Sequence, residues 1–354
     1  MEPHGGNLRR ARERYGTPAG GWQDFSANIN PLGVPPVLKE ALHRVVEEEL
    51  EHYPDPDCKQ LVTVLAQYHN LDRENVLCGN GASELLQLAL EVWPKGRLLL
   101  PVPSFIEYEQ AARLGGHKPL FFNLTAGTGF VPDIERLCTW LTHCDGLVLG
   151  NPNNPTSVLL SNQDLLRLLS TGKPILVDEA FVELTCGGEA NSMARYLQDF
   201  PNLLIVRAFT KSLAIPGLRL GYALGHKDVL KAMKKRQIPW SVNRGAQAVG
   251  EVFPLLVEHR EKTKAWLSTE LDYLWEGLNR LPNITAFKPA TNFILCQYEQ
   301  EVGSLADALA KHGILIRPGE NFRGLDNRWF RVAVRSHKEN KRLLSVLQEV
   351  LPNV

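Results

Sequence analysis

The sequence carries no net charge: 39 Lys and Arg balance 39 Asp and Glu. That balance argues against a broad electrostatic footprint for nucleic acid or an anionic membrane, though not against a local basic pocket for a small anion. Long apolar runs are missing, and no stretch approaches the ~18–20 residues that a bilayer span needs. Cysteine is sparse. The six residues (Cys58, Cys78, Cys138, Cys144, Cys186 and Cys296) make no C-x-x-C pair and no zinc-finger spacing with histidine, so reduced thiols and no metal site are expected. Residues 1–21 are rich in Arg and Gly and lack an apolar core segment, so no signal peptide is expected and the cytoplasm is the expected location. Repeats and low-complexity segments are absent as well.

What is present is an ordinary globular composition, 44% hydrophobic and 22% charged over 354 residues, enough for two lobes. Short apolar runs at 97–102, 119–124, 146–150, 175–177, 203–207 and 218–224 read as buried strands. Helical patterns at 83–92, 105–114 and 163–169 alternate with them. The alternation predicts an α/β domain over 46–250, with a mostly parallel sheet covered by helices on both faces. Beyond residue 250 come a long helical stretch (251–281), strand patterns at 292–297, 314–317 and 329–334, and an amphipathic helix at 337–351. These predict a smaller α+β domain, which residues 1–45 are expected to join.

Four segments carry candidate chemistry. Gly79-Asn80-Gly81-Ala82-Ser83-Glu84 opens an apolar helix, and small residues at a helix N-terminus let backbone N–H groups approach an anion. A Ser-capped tight turn would look the same. Gly150-Asn151-Pro152-Asn153-Asn154-Pro155-Thr156 puts amide side chains in a stiff turn at a strand's C-terminal end, where open α/β sheets bind ligands. Asp178 ends the apolar run Ile175-Leu176-Val177 and needs a partner if it is buried; a protonated pyridine nitrogen would serve, and so would a cap or an ion pair. Lys211 sits among apolar and small residues, where desolvation and a neighbouring cation would lower its pKa and suit Schiff-base chemistry. Arg219 follows eight residues later with a planar fork for a phosphate.

In this order the four segments resemble the fold-type I pyridoxal 5′-phosphate (PLP) enzymes of the aspartate-aminotransferase fold, in the histidinol-phosphate aminotransferase-like branch. The resemblance runs nearly end to end. It implies PLP as cofactor, held by Lys211 as a Schiff base, with Asp178 on the pyridine nitrogen and Asn154 on the phenolic oxygen. It places Gly81, Ala82, Ser83, Thr210 and Arg219 around the cofactor phosphate and Phe105 over the ring, with Tyr108 as the other aromatic for that place. Tyr53 matches a tyrosine that reaches the neighbouring subunit's cofactor phosphate, which implies a homodimer with shared active sites.

Three further segments resemble the threonine-phosphate decarboxylases of this branch, enzymes of cobalamin biosynthesis, more than its aminotransferases. They are His4-Gly5-Gly6-Asn7 before an Arg-rich helix, Phe25-Ser26-Ala27-Asn28-Ile29-Asn30-Pro31, and the stretch from Phe322 to Arg335. Phe181 also stands where most of the aminotransferases carry tyrosine. The expected substrate is a small phosphorylated amino acid. Arg331 is expected at its carboxylate and Arg335 at its phosphate, both on one face of a strand by period-two alternation, with His4, Asn30 and Arg317 in the same pocket. An aminotransferase acting on histidinol phosphate and a decarboxylase acting on serine phosphate are the alternatives. Ala208, Ser157 and Arg317-Pro318-Gly319-Glu320 depart from the family pattern.

Overall fold

The computed structural model describes residues 5–18 and 20–353. Its strands in chain order are β1 (Gln23–Asp24), β2 (Val76–Gly79), β3 (Arg97–Val102), β4 (Lys118–Asn123), β5 (Gly146–Gly150), β6 (Ile175–Asp178), β7 (Leu203–Ala208) and β8 (Gly221–Gly225), followed by β9 (Ile284–Ala286), β10 (Phe293–Tyr298), β11 (Ile314–Leu315), β12 (Arg317–Pro318) and β13 (Trp329–Ala333). Seven of them form one sheet in the order β2-β8-β7-β6-β5-β3-β4. Only β8 runs antiparallel to its neighbours.

The apolar strands explain the layering. Successive side chains point to opposite faces, so Leu99, Leu147, Leu149, Ile175, Val177, Leu203 and Ile205 enter one core. Leu98, Leu100, Val148, Leu176, Leu204 and Val206 enter the other. A sheet with two apolar faces must be covered twice, and the intervening helices do this. Chain order reverses beside β3: β4 lies on one side of it, and β5, β6 and β7 follow on the other. The carboxyl ends of β3, β5, β6 and β7 therefore border a crevice at the switch point, where open α/β sheets bind ligands.

A four-stranded antiparallel sheet, β12-β13-β10-β9, builds the second core with the helices Val257–Asn279 and His337–Val350. Several expected boundaries move. The strand expected at 314–317 divides between two sheets: β11 pairs parallel with β1, and β12 pairs with β13. The helix expected from 251 starts at Val257, because Pro254 lacks the N–H that would continue the preceding Arg244–Glu251 helix. The strand expected from 218 starts at Gly221, because Arg219 adopts a left-handed backbone (φ 56°). Residues 1–45 do not act as one unit. β1 joins β11, but the helix Pro36–Glu48 packs Ala41 and Val45 on Ala248 and sends Leu38 into the large-sheet core. Its apolar face found the larger apolar partner. No described helix is long and apolar enough to cross a membrane.

Candidate active site

The crevice holds a cavity of about 340 Å³ whose walls come from both sheets. Ala82, Ser83, Thr210, Lys211 and Arg219 line one end, Asp178 and Asn154 the floor, and Arg317 and Arg331 the far wall. Phe105, Ile106, Phe181 and Phe322 give it apolar sides.

Asp178 is the last residue of β6, in register with Gly150 of β5 and Val206 of β7. Its Oδ1 accepts the Ala180 N–H at 2.9 Å and its Oδ2 accepts the Tyr108 hydroxyl at 2.9 Å. No cation pairs with it among the described residues. Burial pushes its pKa up, against those two donors. A buried carboxylate with only neutral partners suits a cationic N–H as its third. The next residue, Glu179, points to the opposite face and accepts from Ser192 and the Met193 N–H.

Lys211 follows β7 on a single helical turn, Phe209–Ser212. Burial first, then the guanidinium of Arg331 and that of Arg219, push its amine down to about 8, with Asp24 opposing. Near neutrality a useful fraction is therefore the free amine that condenses with an aldehyde.

Gly81 caps the helix Ala82–Val92 with φ 81°, and a Cβ built on it would meet Arg219 Nη2 at 2.6 Å. That glycine leaves the space between the helix N-terminus and the Arg219 fork. The Ala82 and Ser83 N–H groups, the Thr210 hydroxyl and Arg219 together make a donor set for a phosphate. Gly81→Ala is expected to weaken cofactor binding ~10–100-fold, through lost space and a strained backbone. A fluorescence titration of the cofactor-free protein checks this.

Arg331 and Arg317 face each other across the β13–β12 pair. Both are buried, at 6% and 5% exposure. Arg331 Nη1 donates to the Asn154 amide oxygen and Nη2 to the Ser26 carbonyl at 2.8 Å, while its buried Nε has no partner among the described residues. Burial and the nearby Arg317 pull Arg331 down to about 9, which leaves it a cation at neutral pH.

Two expected substrate residues lie elsewhere. β13 ends at Ala333, so period-two alternation does not extend to Arg335. Its guanidinium instead pairs with Glu339 at 2.8 Å and bonds the Asp24 carbonyl. Asn30 is buried outside the cavity, with its amide committed to Ser212 and Thr263. Asn28 takes the place facing the cavity, and its Oδ1 is buried without a partner among the described residues. Two residues in the same short segment differ only in direction, which its sequence does not signal. Tyr108 is the second residue that the sequence undervalued. It turns inward from the helix Ile106–Leu114 to hold Asp178, and Phe105 meets it edge-on at 5.6 Å. Tyr53 is 81% exposed and stacks on Trp240, away from this cavity. His4 lies outside the described residues.

A cavity at a sheet switch point, with a desolvated lysine, a buried carboxylate and a phosphate cradle, defines an enzyme of the PLP-dependent class. The aminotransferase class I and II model matches residues 21–347, and the chain belongs to that family, with the aspartate-aminotransferase fold and PLP as cofactor. Within the family it is similar to the threonine-phosphate decarboxylase of Salmonella typhimurium, 35% identical over 99% of this chain and 97% of the relative. It is 31% identical to the adenosylcobalamin biosynthesis bifunctional protein CobDQ of Leptospira interrogans, over 99% of this chain and 41% of that protein. The solved histidinol-phosphate aminotransferase of Clostridium acetobutylicum superposes with a TM-score of 0.88 and 32% identity, over 93% of this chain and 99% of that one.

Proposed function

We propose that this enzyme decarboxylates L-threonine O-3-phosphate to (R)-1-amino-2-propanol O-2-phosphate, a step of cobalamin biosynthesis. The observation that carries the proposal is the pair of buried arginines, Arg317 and Arg331, opposite Lys211 in one cavity. A substrate with both a carboxylate and a phosphate offers two anions to match two cations that are costly to bury alone. The similarity to threonine-phosphate decarboxylases supports the same reading.

The residues present fit the cofactor. Lys211 would bind its aldehyde, Asp178 its ring N–H, Asn154 its phenolic oxygen, and Gly81, Ala82, Ser83, Thr210 and Arg219 its phosphate. Ala208 lines the same end, so one phosphate hydroxyl common in relatives is absent here. When bound, PLP supplies an electron sink for the pair left at Cα as CO2 departs. Arg331 receives the carboxylate through its free Nε and turns the Cα–carboxylate bond toward the perpendicular of the ring plane, which selects the bond that breaks. The apolar walls exclude water around the leaving carboxylate. Lys211 Nζ then returns a proton to Cα. Asn28 offers an acceptor at the cavity wall.

Arg331→Lys is expected to lower kcat/KM about 100-fold, because an ammonium lacks the planar fork. Arg335→Ala is expected to leave kcat/KM within about twofold, since that side chain is committed to Glu339 and the Asp24 carbonyl outside the cavity. Steady-state kinetics on both variants checks the division of labour.

We further propose a cytoplasmic homodimer in which Tyr53 reaches the partner's cofactor phosphate. Exposed Tyr53, Ile238 and Trp240 give the chain an apolar patch for such a contact. The deciding assay supplies PLP-loaded protein with L-threonine O-3-phosphate and no keto acid. Sustained CO2 release with aminopropanol phosphate formed supports the decarboxylase. No CO2, but conversion of the cofactor to its pyridoxamine form by histidinol phosphate, makes the enzyme an aminotransferase, the reading that the similarity to the Clostridium structure favours. Serine phosphate lacks one methyl group, a difference of only ~1–3 kcal/mol in a pocket, and belongs in the same assay.

A further inference from the structure

Lys211 sits on a helix of one turn, and within that turn its carbonyl meets the Ala214 N–H only at 3.4 Å. Shorter bonds from outside add to this. The Asn30 N–H donates to the Lys211 carbonyl at 3.0 Å, and Asn30 Nδ2 donates to the Ser212 carbonyl at 2.9 Å. Nδ2 also donates to Thr263 Oγ1 at 2.9 Å, and the Thr263 hydroxyl donates to the His259 carbonyl at 2.8 Å. Asn30 Oδ1 accepts the Leu32 N–H at 3.1 Å, so the whole amide is committed. Asn30 is 1% exposed and Thr263 3%.

The same short segment grips the substrate side. Arg331 Nη2 donates to the Ser26 carbonyl at 2.8 Å, four residues before Asn30. Residues 26–30 thus touch the arginine at one end and the lysine's backbone at the other. We infer that Asn30 is a positioning residue, fixing Lys211 against Arg331 for proton delivery at Cα, with Thr263 orienting its amide. The inference rests on the decarboxylase reading only for the identity of the proton acceptor.

The test compares Asn30→Ala, Thr263→Val and Thr263→Ser in the PLP-loaded protein. Asn30→Ala is expected to lower kcat ~10–100-fold with KM within about threefold, the signature of lost geometry in place of lost binding. Thr263→Val, which keeps the shape and removes the hydroxyl, is expected to lower kcat ~3–10-fold, and Thr263→Ser to recover it. A second readout needs no substrate: the pH midpoint of the absorption band of the lysine-bound cofactor. Arg331, Arg219 and Asp24 are the charged groups that act on Lys211. A lysine released from its place shifts that midpoint in Asn30→Ala and Thr263→Val, and Thr263→Ser restores it. Folded variants with parental kcat and parental midpoint overturn the inference, as does a rise in KM alone. If Asn30→Ala does not fold, the Thr263 pair decides. If threonine phosphate is not turned over, the absorption titration still reads the role of Asn30, so the two failures are distinguishable.

Discussion

Lys211→Ala is expected to reduce turnover ~10⁴-fold or more while leaving the fold intact. In the proposed mechanism two tasks fall on this one amine, holding the cofactor and moving the proton at Cα, and among the described residues no second lysine lines the cavity. Burial first, then the guanidinium groups of Arg331 and Arg219, push its pKa down to about 8. Removing it relieves that repulsion, so thermal stability of the cofactor-free variant should equal or exceed the parent's. Borohydride treatment followed by intact-protein mass measurement gives the direct check: the parent gains one cofactor, the variant none. A variant that retained its rate to within about tenfold would remove Lys211 from the mechanism.

Asp178→Asn should separate function from stability. In the cofactor-free protein Asp178 has a pKa raised by burial and, among the described residues, no cation beside it. A carboxyl whose folded pKa exceeds its unfolded value binds more protons in the native state. Stability is then fully present below the unfolded pKa and declines as pH rises through the folded one. An amide has no such titration, so the variant should gain about 1–3 kcal/mol near neutral pH and show a flatter stability profile above the ordinary carboxylate range. Turnover should move the other way, falling ~10²–10³-fold, because a neutral amide cannot stabilise a cationic ring nitrogen as a buried carboxylate does. Urea titrations of parent and variant at several pH values, with assays of the loaded enzymes, test both directions. A parental stability profile would show that Asp178 is already balanced by another group.

Several residues that line the cavity were legible because their motifs are local. Asp178 closes an apolar strand, Lys211 follows another, and Gly81 opens a helix, so each could be read within a few residues. The outcome was different wherever two segments had to meet. Arg331 and Arg335 looked equivalent on a period of two, yet the strand ends between them and Arg335 turns to Glu339. Asn30 was the residue expected in the pocket, yet Asn28 faces the cavity and Asn30 a helix from the second core. Tyr108 read as the second aromatic for the place over the ring, yet its hydroxyl instead holds Asp178 at 2.9 Å.

By itself the sequence determined the class of fold and the cofactor chemistry. Apolar alternation fixes which strands are buried on both faces, and single residues in small motifs carry the reactive groups. Only the tertiary structure decided the wall opposite Lys211, the split of residues 314–317 between two sheets, and the clamp of Asn30 on the lysine's backbone. Each of these depends on pairing between segments far apart in the chain. Such pairing is set by which apolar faces and unsatisfied backbone groups find partners on folding, and no local pattern encodes it.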